Sequence, residues 1–200
     1  MLKIGITGGI GSGKTTICRV FEVLGVPVFY ADVVAKDIMV KDKILIHGMQ
    51  QTFGPESYFD DGRLNNKYIS NIVFNDPHEL AKLNALVHPA VFRAFDHWVS
   101  GIRQEVPYIL KEAALLFESR SFEMCDKSIL VTAPIDVRLS RVMQRDGVKE
   151  VQVRARMDKQ FSDEQKQALA DYFIHNEEHR SIIEQVLALH AQFTALAAPL

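Results

Sequence analysis

The sequence contains little cysteine, no excess of charge of either sign and no long hydrophobic run. Its two cysteines, Cys18 and Cys125, are far apart and in no metal-like spacing, which argues against a zinc site or a disulfide framework. We interpret both as buried thiols in a reducing compartment. The formal net charge of −2 argues against general nucleic-acid binding, because such proteins usually carry a basic excess.

The hydrophobic content is that of a globular protein with a substantial core. Hydrophobic residues make up 48% of the chain and charged residues 24%, which is ordinary for a soluble domain. No apolar run approaches the roughly 18 residues that span a membrane, and glycines interrupt the short apolar stretch after Lys3. We therefore expect a soluble, cytoplasmic protein of one domain that binds neither membranes nor nucleic acid.

Strand-like and helix-like segments alternate along the chain. Strands are predicted at residues 2–7, 27–30, 106–110, 128–131 and 172–174, and helices at 15–24, across 32–102, across 135–170 and at 182–196. Pro77 is expected at the first position of a helix, and Pro89 is expected to break or kink it. This alternation predicts an α/β fold, with a parallel sheet of about five strands flanked by helices.

One segment matches the G-x-x-x-x-G-K-[ST] pattern of a phosphate-binding P-loop in full, between the first strand and the first helix. Its glycines allow several backbone N–H groups to converge on phosphate oxygens, next to the positive end of a helix. Lys14 can bind the β- and γ-phosphates, and the Thr15 hydroxyl can ligate Mg²⁺. The candidate ATP-binding residues here are Gly8, Gly9, Gly11, Ser12, Gly13, Lys14, Thr15 and Thr16.

Two carboxylates are predicted at the ends of strands, where parallel sheets bind ligands. Asp32 follows Tyr30 and Ala31 at the end of the second strand. It can accept the proton of an attacking hydroxyl or cap a helix, and its position does not separate the two roles. Glu112 ends the third strand, where it is either a ligand of Mg²⁺ or an ordinary acid at a loop.

An arginine-rich segment follows the fourth strand. Arg138, Arg141 and Arg145 are three and four residues apart, so a helix would place them on one face. Guanidinium groups suit phosphate oxygens, and a mobile segment carrying them could exclude water during transfer. The alternative is a solvated basic face, paired with nearby acids such as Asp136 and Asp146.

Several motifs together resemble those of dephospho-CoA kinases, in order over about residues 2–190. They are Ile6 to Thr15 with its double glycine, Tyr30-Ala31-Asp32, Val73-Phe74, Leu86-Val87-His88-Pro89, Leu115-Leu116-Phe117-Glu118, Arg141, Arg145-Asp146, Gln160 and Asp171 to Asn176. The P-loop is shared widely among nucleotide-binding proteins, whereas the aspartate, His-Pro and Leu-Leu-Phe-Glu set is much more particular to this family.

The resemblance implies a reaction: phosphorylation of the ribose 3′-hydroxyl of dephospho-CoA by ATP, with Mg²⁺, as the last step of coenzyme A synthesis. It implies that Asp32 is the catalytic base and that Lys14 and Arg141 act on the transferring phosphate. Arg145 and Asn176 would bind ATP, Asn176 near the adenine. The substrate side would be formed by Asp32, His88, Leu115 and Phe117.

The resemblance also implies three parts within one P-loop kinase domain over residues 1–200. They are a nucleotide-binding core at 1–40, 104–135 and 170–200, a helical CoA-binding insertion at 41–103 and a lid at 136–169. The chain departs from the usual family pattern at Asn66, Glu112, Ala114 and Arg138, the last of which replaces a usual glutamine.

Two other functions compete with this one. Another small-molecule or nucleotide kinase on the same scaffold would share the P-loop, and only the Asp32, His88 and Leu115 to Glu118 context argues against it. A nucleotide-dependent switch is the more distant alternative. Guanine-specific switches usually contain Asn-Lys-x-Asp, whereas Asn66-Lys67 is followed here by Tyr68-Ile69.

Overall fold

Strands and helices alternate in the computed structural model, which describes residues 1–74, 76–103 and 105–198. The strands are β1 (Leu2–Gly8), β2 (Val28–Tyr30), β3 (Tyr108–Glu112), β4 (Lys127–Thr132) and β5 (Tyr172–His175). The helices are α1 (Lys14–Val23), α2 (Ala31–Lys41), α3 (Lys43–Phe53), α4 (Asn66–Val73), α5 (Pro77–Ser100), α6 (Ile135–Asp146), α7 (Glu150–Met157), α8 (Asp163–Gln167) and α9 (Ile182–Ala197). Short 3₁₀ turns lie at Pro55–Ser57 and Ser121–Met124.

The five strands form one parallel sheet in the order β2-β3-β1-β4-β5, which confirms the predicted α/β fold. Every residue of β3 is buried, as expected for a strand between two neighbours in a sheet covered on both faces. Glu112 is in register with Ile6 of β1 and with Tyr30 of β2. The carboxyl ends of these strands therefore lie at one edge, which is where β1 leads into the P-loop.

The chain divides into two compact units, Met1–Tyr30 with Ile102–Leu200 and Ala31–Gly101. In the first unit, the apolar side chains of the sheet pack against α1 and α9, and the fully buried members of this core include Ile4, Ile17, Phe21, Tyr108 and Phe193. Burial of such side chains contributes roughly 1.5–3 kcal/mol each. This core fixes the positions of β1 and α1, the two elements between which the P-loop is held.

The second unit is helical, as predicted for the segment that follows β2. Helices α2 to α5 bury a separate apolar cluster that includes Leu45, Met49, Phe53, Ile69 and Ala90. Side chains of Asp42, Asn65 and Asp76 cap α3, α4 and α5 by accepting hydrogen bonds from backbone N–H groups. An isolated bridge between Tyr58 and Leu64 is the strand pairing found in the described part of this unit.

Two helical predictions gain detail from the structure. Helix α5 begins at Pro77 as expected and continues through Pro89, so the predicted break is wrong, because α5 packs along α2, α3 and α4 and buries Ala90, Val91 and Phe95 beyond the proline. The helical segment predicted across 135–170 contains three helices. Gly147, with a φ of 65°, ends α6 in the left-handed conformation, and the side chain of Ser162 caps α8.

Asp32 does not end a strand. It is the second residue of α2, which begins directly after β2, so the carboxylate lies in the first helical turn. A negative charge in the first turn interacts favourably with the helix dipole. No helix within residues 1–74, 76–103 and 105–198 is both long enough and apolar enough to cross a membrane.

Candidate active site

The P-loop turns between the last residue of β1 and the first residue of α1. Gly11 and Gly13 have φ values of 80° and 95°, in the left-handed region that residues other than glycine rarely adopt. Ser12 N donates a hydrogen bond to Gly9 O at 3.0 Å, which closes the turn. A Cβ atom on Gly8 would overlap the carbonyl oxygen of Val131. The sequence pattern is therefore required by backbone conformation and by close packing against β4.

Two polar side chains of this loop, those of Lys14 and Ser12, are candidates for contact with phosphate. Lys14 Nζ donates to Gly8 O at 2.9 Å, so the ammonium group lies along the loop. The Ser12 side chain is 1% exposed, and its hydroxyl finds no hydrogen-bond partner among the described residues. Leaving a buried hydroxyl unsatisfied costs about 1–3 kcal/mol, and a ligand oxygen would remove that cost.

Asn176 and Arg141, both predicted to bind ATP or its phosphates, meet beside the loop. Asn176 Nδ2 donates to Ser12 O at 2.7 Å, and Arg141 Nη2 donates to Asn176 Oδ1 at 3.4 Å. Asn176 N is itself held by Thr132 O at 2.8 Å. Arg141 and Asn176 line an open cavity of about 760 Å³ together with Pro134 and Arg180. The structure thus places a cavity large enough for a nucleoside next to the P-loop.

Replacing Gly13 by alanine tests this packing. A Cβ atom there would overlap the Asn176 amide and force alanine into the left-handed region. We expect Gly13→Ala to raise the Kd for ADP by roughly tenfold or more, because the backbone strain of about 1–2 kcal/mol is combined with a displaced Asn176. Isothermal titration calorimetry measures the Kd.

Gly25→Ala is the matched control for this variant. Gly25 has a φ of 82°, but a Cβ atom there meets nothing within 4 Å. Alanine at residue 25 therefore carries the backbone strain without the collision, and it should lower stability towards urea while leaving the Kd for ADP unchanged. Equal Kd values for the two variants would show that Asn176 and Gly13 do not shape the nucleotide site.

The arginines of α6 and α7 have different environments. Arg138 is buried, and it hydrogen-bonds to Ile10 O and Asp163, so the predicted solvated face is wrong for this residue. Arg145 is exposed and pairs with Asp146 at 2.7 Å, as Arg156 does. Both arginines hold the pKa of Asp146 at about 2, mainly through the hydrogen bond from Arg145. Arg145 therefore forms an ion pair with Asp146 at the surface.

Glu112 and Thr15 offer the hard oxygen ligands that Mg²⁺ prefers. The Glu112 side chain is almost fully buried at the end of β3, and Thr15 is exposed at the second position of α1. Burial raises the pKa of the Cys18 thiol, and the negative charge of Glu112 raises it further. The positive charge of Lys14 acts in the opposite direction, so both side chains influence the same thiol. Among the described residues, no group of three or more His, Cys, Asp or Glu side chains is arranged to hold a metal ion.

The residues of the Leu-Leu-Phe-Glu segment differ in burial and in their contacts. Phe117 is buried and packs against Phe122 with ring centroids 5.6 Å apart, whereas Leu115 is 40% exposed. Glu118 Oε1 accepts a hydrogen bond from Phe161 N at 2.7 Å and lies 3.2 Å from the buried Lys166 Nζ. The sequence predicts no role for Glu118 or Lys166. The feature that could have indicated a buried contact is a charged residue, Glu118, that directly follows the apolar residues 115–117.

Asp32 and His88 belong to the second compact unit. Asp32 is exposed, two residues beyond the end of β2. His88 is half-buried within α5 and stacks on Phe92, with ring centroids 6.4 Å apart. Burial lowers the pKa of the His88 imidazole, which favours its neutral form. In this form one ring nitrogen can accept a hydrogen bond from a substrate.

Comparisons with known proteins agree with this arrangement. A model of the dephospho-CoA kinase family matches residues 2–181. The chain is 40% identical over 178 residues to the dephospho-CoA kinase of Salinibacter ruber, covering 88% of this chain and 89% of that protein. A crystal structure of a Thermus thermophilus protein superposes with a TM-score of 0.83 at 33% identity, covering 96% of this chain and 97% of the other.

A more distant structure supports the fold. The dephospho-CoA kinase of Campylobacter jejuni superposes with a TM-score of 0.71 at 23% identity, and the match covers 98% of both chains. The family model spans most of the sequence. The Salinibacter ruber relative is 40% identical, and the match covers most of both chains. This chain belongs to the dephospho-CoA kinase family.

Proposed function

We propose that this protein transfers the γ-phosphate of ATP to the ribose 3′-hydroxyl of dephospho-CoA, giving coenzyme A and ADP in the cytoplasm. The observation that carries the proposal is the P-loop with Asn176 and Arg141 beside it. Asn176 joins the loop carbonyl of Ser12 to the Arg141 guanidinium, so a nucleotide in the adjoining cavity would place its phosphates at the loop. The acceptor is inferred from family membership.

Asp32 is our candidate for the general base. It would accept the proton of the 3′-hydroxyl as that oxygen attacks the γ-phosphorus in line with the departing ADP oxygen. A carboxylate suits this role because it can accept the hydroxyl proton and, through the same hydrogen bond, orient the attacking oxygen towards the γ-phosphorus. No covalent intermediate on the protein is required.

Lys14 and Arg141 are our candidates for neutralising charge on the transferring phosphate. Lys14 already lies along the loop through its contact with Gly8 O at 2.9 Å, so little reorganisation is needed to reach a bound phosphate. Thr15 and Glu112 would hold Mg²⁺, which supplies further charge neutralisation when it is bound with ATP. Thr16, Gly9 and Arg145 complete the proposed ATP contacts.

The substrate side of the proposal rests on the family alone. His88, Leu115, Phe117 and Asp32 would contact dephospho-CoA, the helical segment at 41–103 would form its binding part, and residues 136–169 would act as a lid. Partial exposure of Leu115 is consistent with a contact, whereas Phe117 is buried, so a substrate contact by Phe117 would require the residues that cover it to move. The half-buried His88 ring could accept a hydrogen bond from the substrate or donate one to it.

An acceptor panel tests the proposal. Purified protein is incubated with Mg·ATP and with dephospho-CoA, adenosine, AMP or shikimate, and ADP is measured by a coupled assay. We expect ADP release that depends on dephospho-CoA and stays at the background level with the three controls. Release that depends on another acceptor would replace the substrate assignment while leaving the P-loop in place.

A further inference from the structure

Ile10 of the P-loop contacts the segment carrying α6 to α8 through its backbone and its side chain. Its backbone N–H donates to Gln160 Oε1 at 2.9 Å, and its carbonyl oxygen accepts from Arg138 Nε at 3.0 Å. Its side chain packs on an apolar cluster formed by Leu139, Val142 and Val153. Both backbone groups and the side chain of Ile10 are thus held by residues from one distant part of the sequence.

Arg138 connects this loop to a second element. Its Nη1 atom donates to Asp163 Oδ2 at 2.8 Å, at the first residue of α8. The Arg138 side chain is 6% exposed and that of Asp163 is 44% exposed. A buried guanidinium needs nearly all its charge and donors satisfied by the protein. Ile10 O accepts from Nε and Asp163 Oδ2 from Nη1, and the Asp163 carboxylate also supplies the opposite charge.

The guanidinium also limits the shape of the loop. A Cβ atom on Gly9 would overlap the Arg138 guanidinium, and one on Gly11 would lie 2.6 Å from the Arg138 carbonyl oxygen. The loop and Arg138 are therefore in direct contact on both sides of Ile10. Ile10 N donates to Gln160 Oε1 and Ser12 N donates to Gly9 O, so both of these loop N–H groups are already paired within the protein.

We propose that Arg138 is a positioning residue, which holds the P-loop in its phosphate-accepting conformation through Ile10 and is itself oriented by Asp163. The proposal rests on the proposed nucleotide-binding function of the loop and is independent of the acceptor. Arg138 contacts the loop backbone and not the reacting atoms. Its effect on nucleotide affinity arises because a loop that is already in its bound conformation loses less entropy when phosphate binds.

The charges of the pair distinguish positioning from simple electrostatics. If Arg138 acted only as a positive charge near the phosphates, removing Asp163 would strengthen nucleotide binding, because the opposing negative charge would be gone. If Arg138 acts by position, removing Asp163 weakens binding, because the guanidinium loses the partner that orients it. Lysine at residue 138 would keep the charge but lose the planar fork that reaches both partners.

The experiment is a double-mutant cycle read out as the Kd for ADP by isothermal titration calorimetry. We expect Arg138→Met to raise the Kd roughly tenfold and Asp163→Asn roughly threefold, in line with the loss of charge-assisted hydrogen bonds. The double variant should match Arg138→Met alone, because the two residues act through one contact. Arg138→Lys should recover less than half of the lost affinity on a logarithmic scale.

A surface pair in the same segment provides the control. Arg154 and Glu150 are paired at 2.7 Å with side chains 54% and 50% exposed, and Arg154→Met or Glu150→Gln should leave the Kd unchanged. Asp163→Asn changes a partly exposed side chain, so it also covers the case in which Arg138→Met fails to fold. Hydrogen exchange of Asp163→Asn should be faster in peptides covering residues 8–13 and unchanged in those covering β3.

Three results would overturn the proposal. They are tighter ADP binding by Asp163→Asn, full recovery of affinity by Arg138→Lys, and additive losses in the double variant. Failure of dephospho-CoA as an acceptor would leave these binding measurements unaffected, so the proposed reaction and the role of Arg138 can fail separately.

Discussion

Asp32→Asn is expected to lower kcat for phosphoryl transfer to dephospho-CoA by roughly two to four orders of magnitude, the range that loss of a general base produces. Asparagine keeps the size of the side chain and removes its ability to accept the hydroxyl proton. The Kd for ATP should change by less than about threefold, because the proposed ATP contacts come from the P-loop, Asn176 and Arg141. Rapid-quench single-turnover kinetics separates the chemical step from product release.

The control for this variant is Asp37→Asn in the same helix. Asp37 is exposed and forms a surface ion pair with Lys41 at 2.6 Å, which contributes about 0.3–0.5 kcal/mol at most. Its replacement should leave kcat within about twofold of the wild type. Near-normal turnover of Asp32→Asn would remove Asp32 from the role of base, and a parallel loss of ATP binding would show that the variant disturbs the fold instead.

Lys14→Ala is expected to reduce kcat/KM by roughly two to three orders of magnitude. The ammonium group is the side-chain cation of the P-loop, and it is held next to Gly8 O at 2.9 Å. Removing it withdraws charge neutralisation from the transition state and also a contact that supports the loop. Steady-state kinetics with Mg·ATP and dephospho-CoA, together with the Kd for ATP, measures both effects.

Lys82→Ala is the comparison for this second variant. Lys82 is partly exposed and pairs with Glu79 at 2.7 Å on the surface of α5, so its loss tests a general change of charge. We expect kcat/KM to stay within about twofold of the wild type. Unchanged kinetics in Lys14→Ala would contradict the assignment of residues 8–15 as the phosphate-binding loop.

The elements that depend on local pattern could be predicted from the sequence. The P-loop was found because its glycines, lysine and threonine are contiguous, and β3 because its apolar run is bounded by polar residues. The bounds of β2 were predicted to within one residue, and α2 begins directly after Tyr30, so Asp32 lies in the first turn of a helix. Pro89 was expected to break or kink a helix, and tertiary packing keeps α5 continuous there.

The contacts that join distant segments could not be predicted in the same way. Arg138 and Arg145 are seven residues apart and looked equivalent in the sequence, yet one is buried against Ile10 and the other is paired on the surface. The environment of Arg138 depends on Asp163, on Gln160 and on the apolar packing of Ile10. These residues are distant from Arg138 in the sequence. The spacing of residues along a helix predicts which helix face a side chain is on. It does not predict which distant segment packs against that face.

The most direct test of the central claim is the product formed from dephospho-CoA and Mg·ATP, identified by mass spectrometry and by ³¹P nuclear magnetic resonance. The account predicts a product heavier by one phosphoryl group, with a new phosphomonoester at the ribose 3′-position and one ADP formed per product. ADP formed without a phosphorylated acceptor, or a phosphate placed on another group of the substrate, would contradict it.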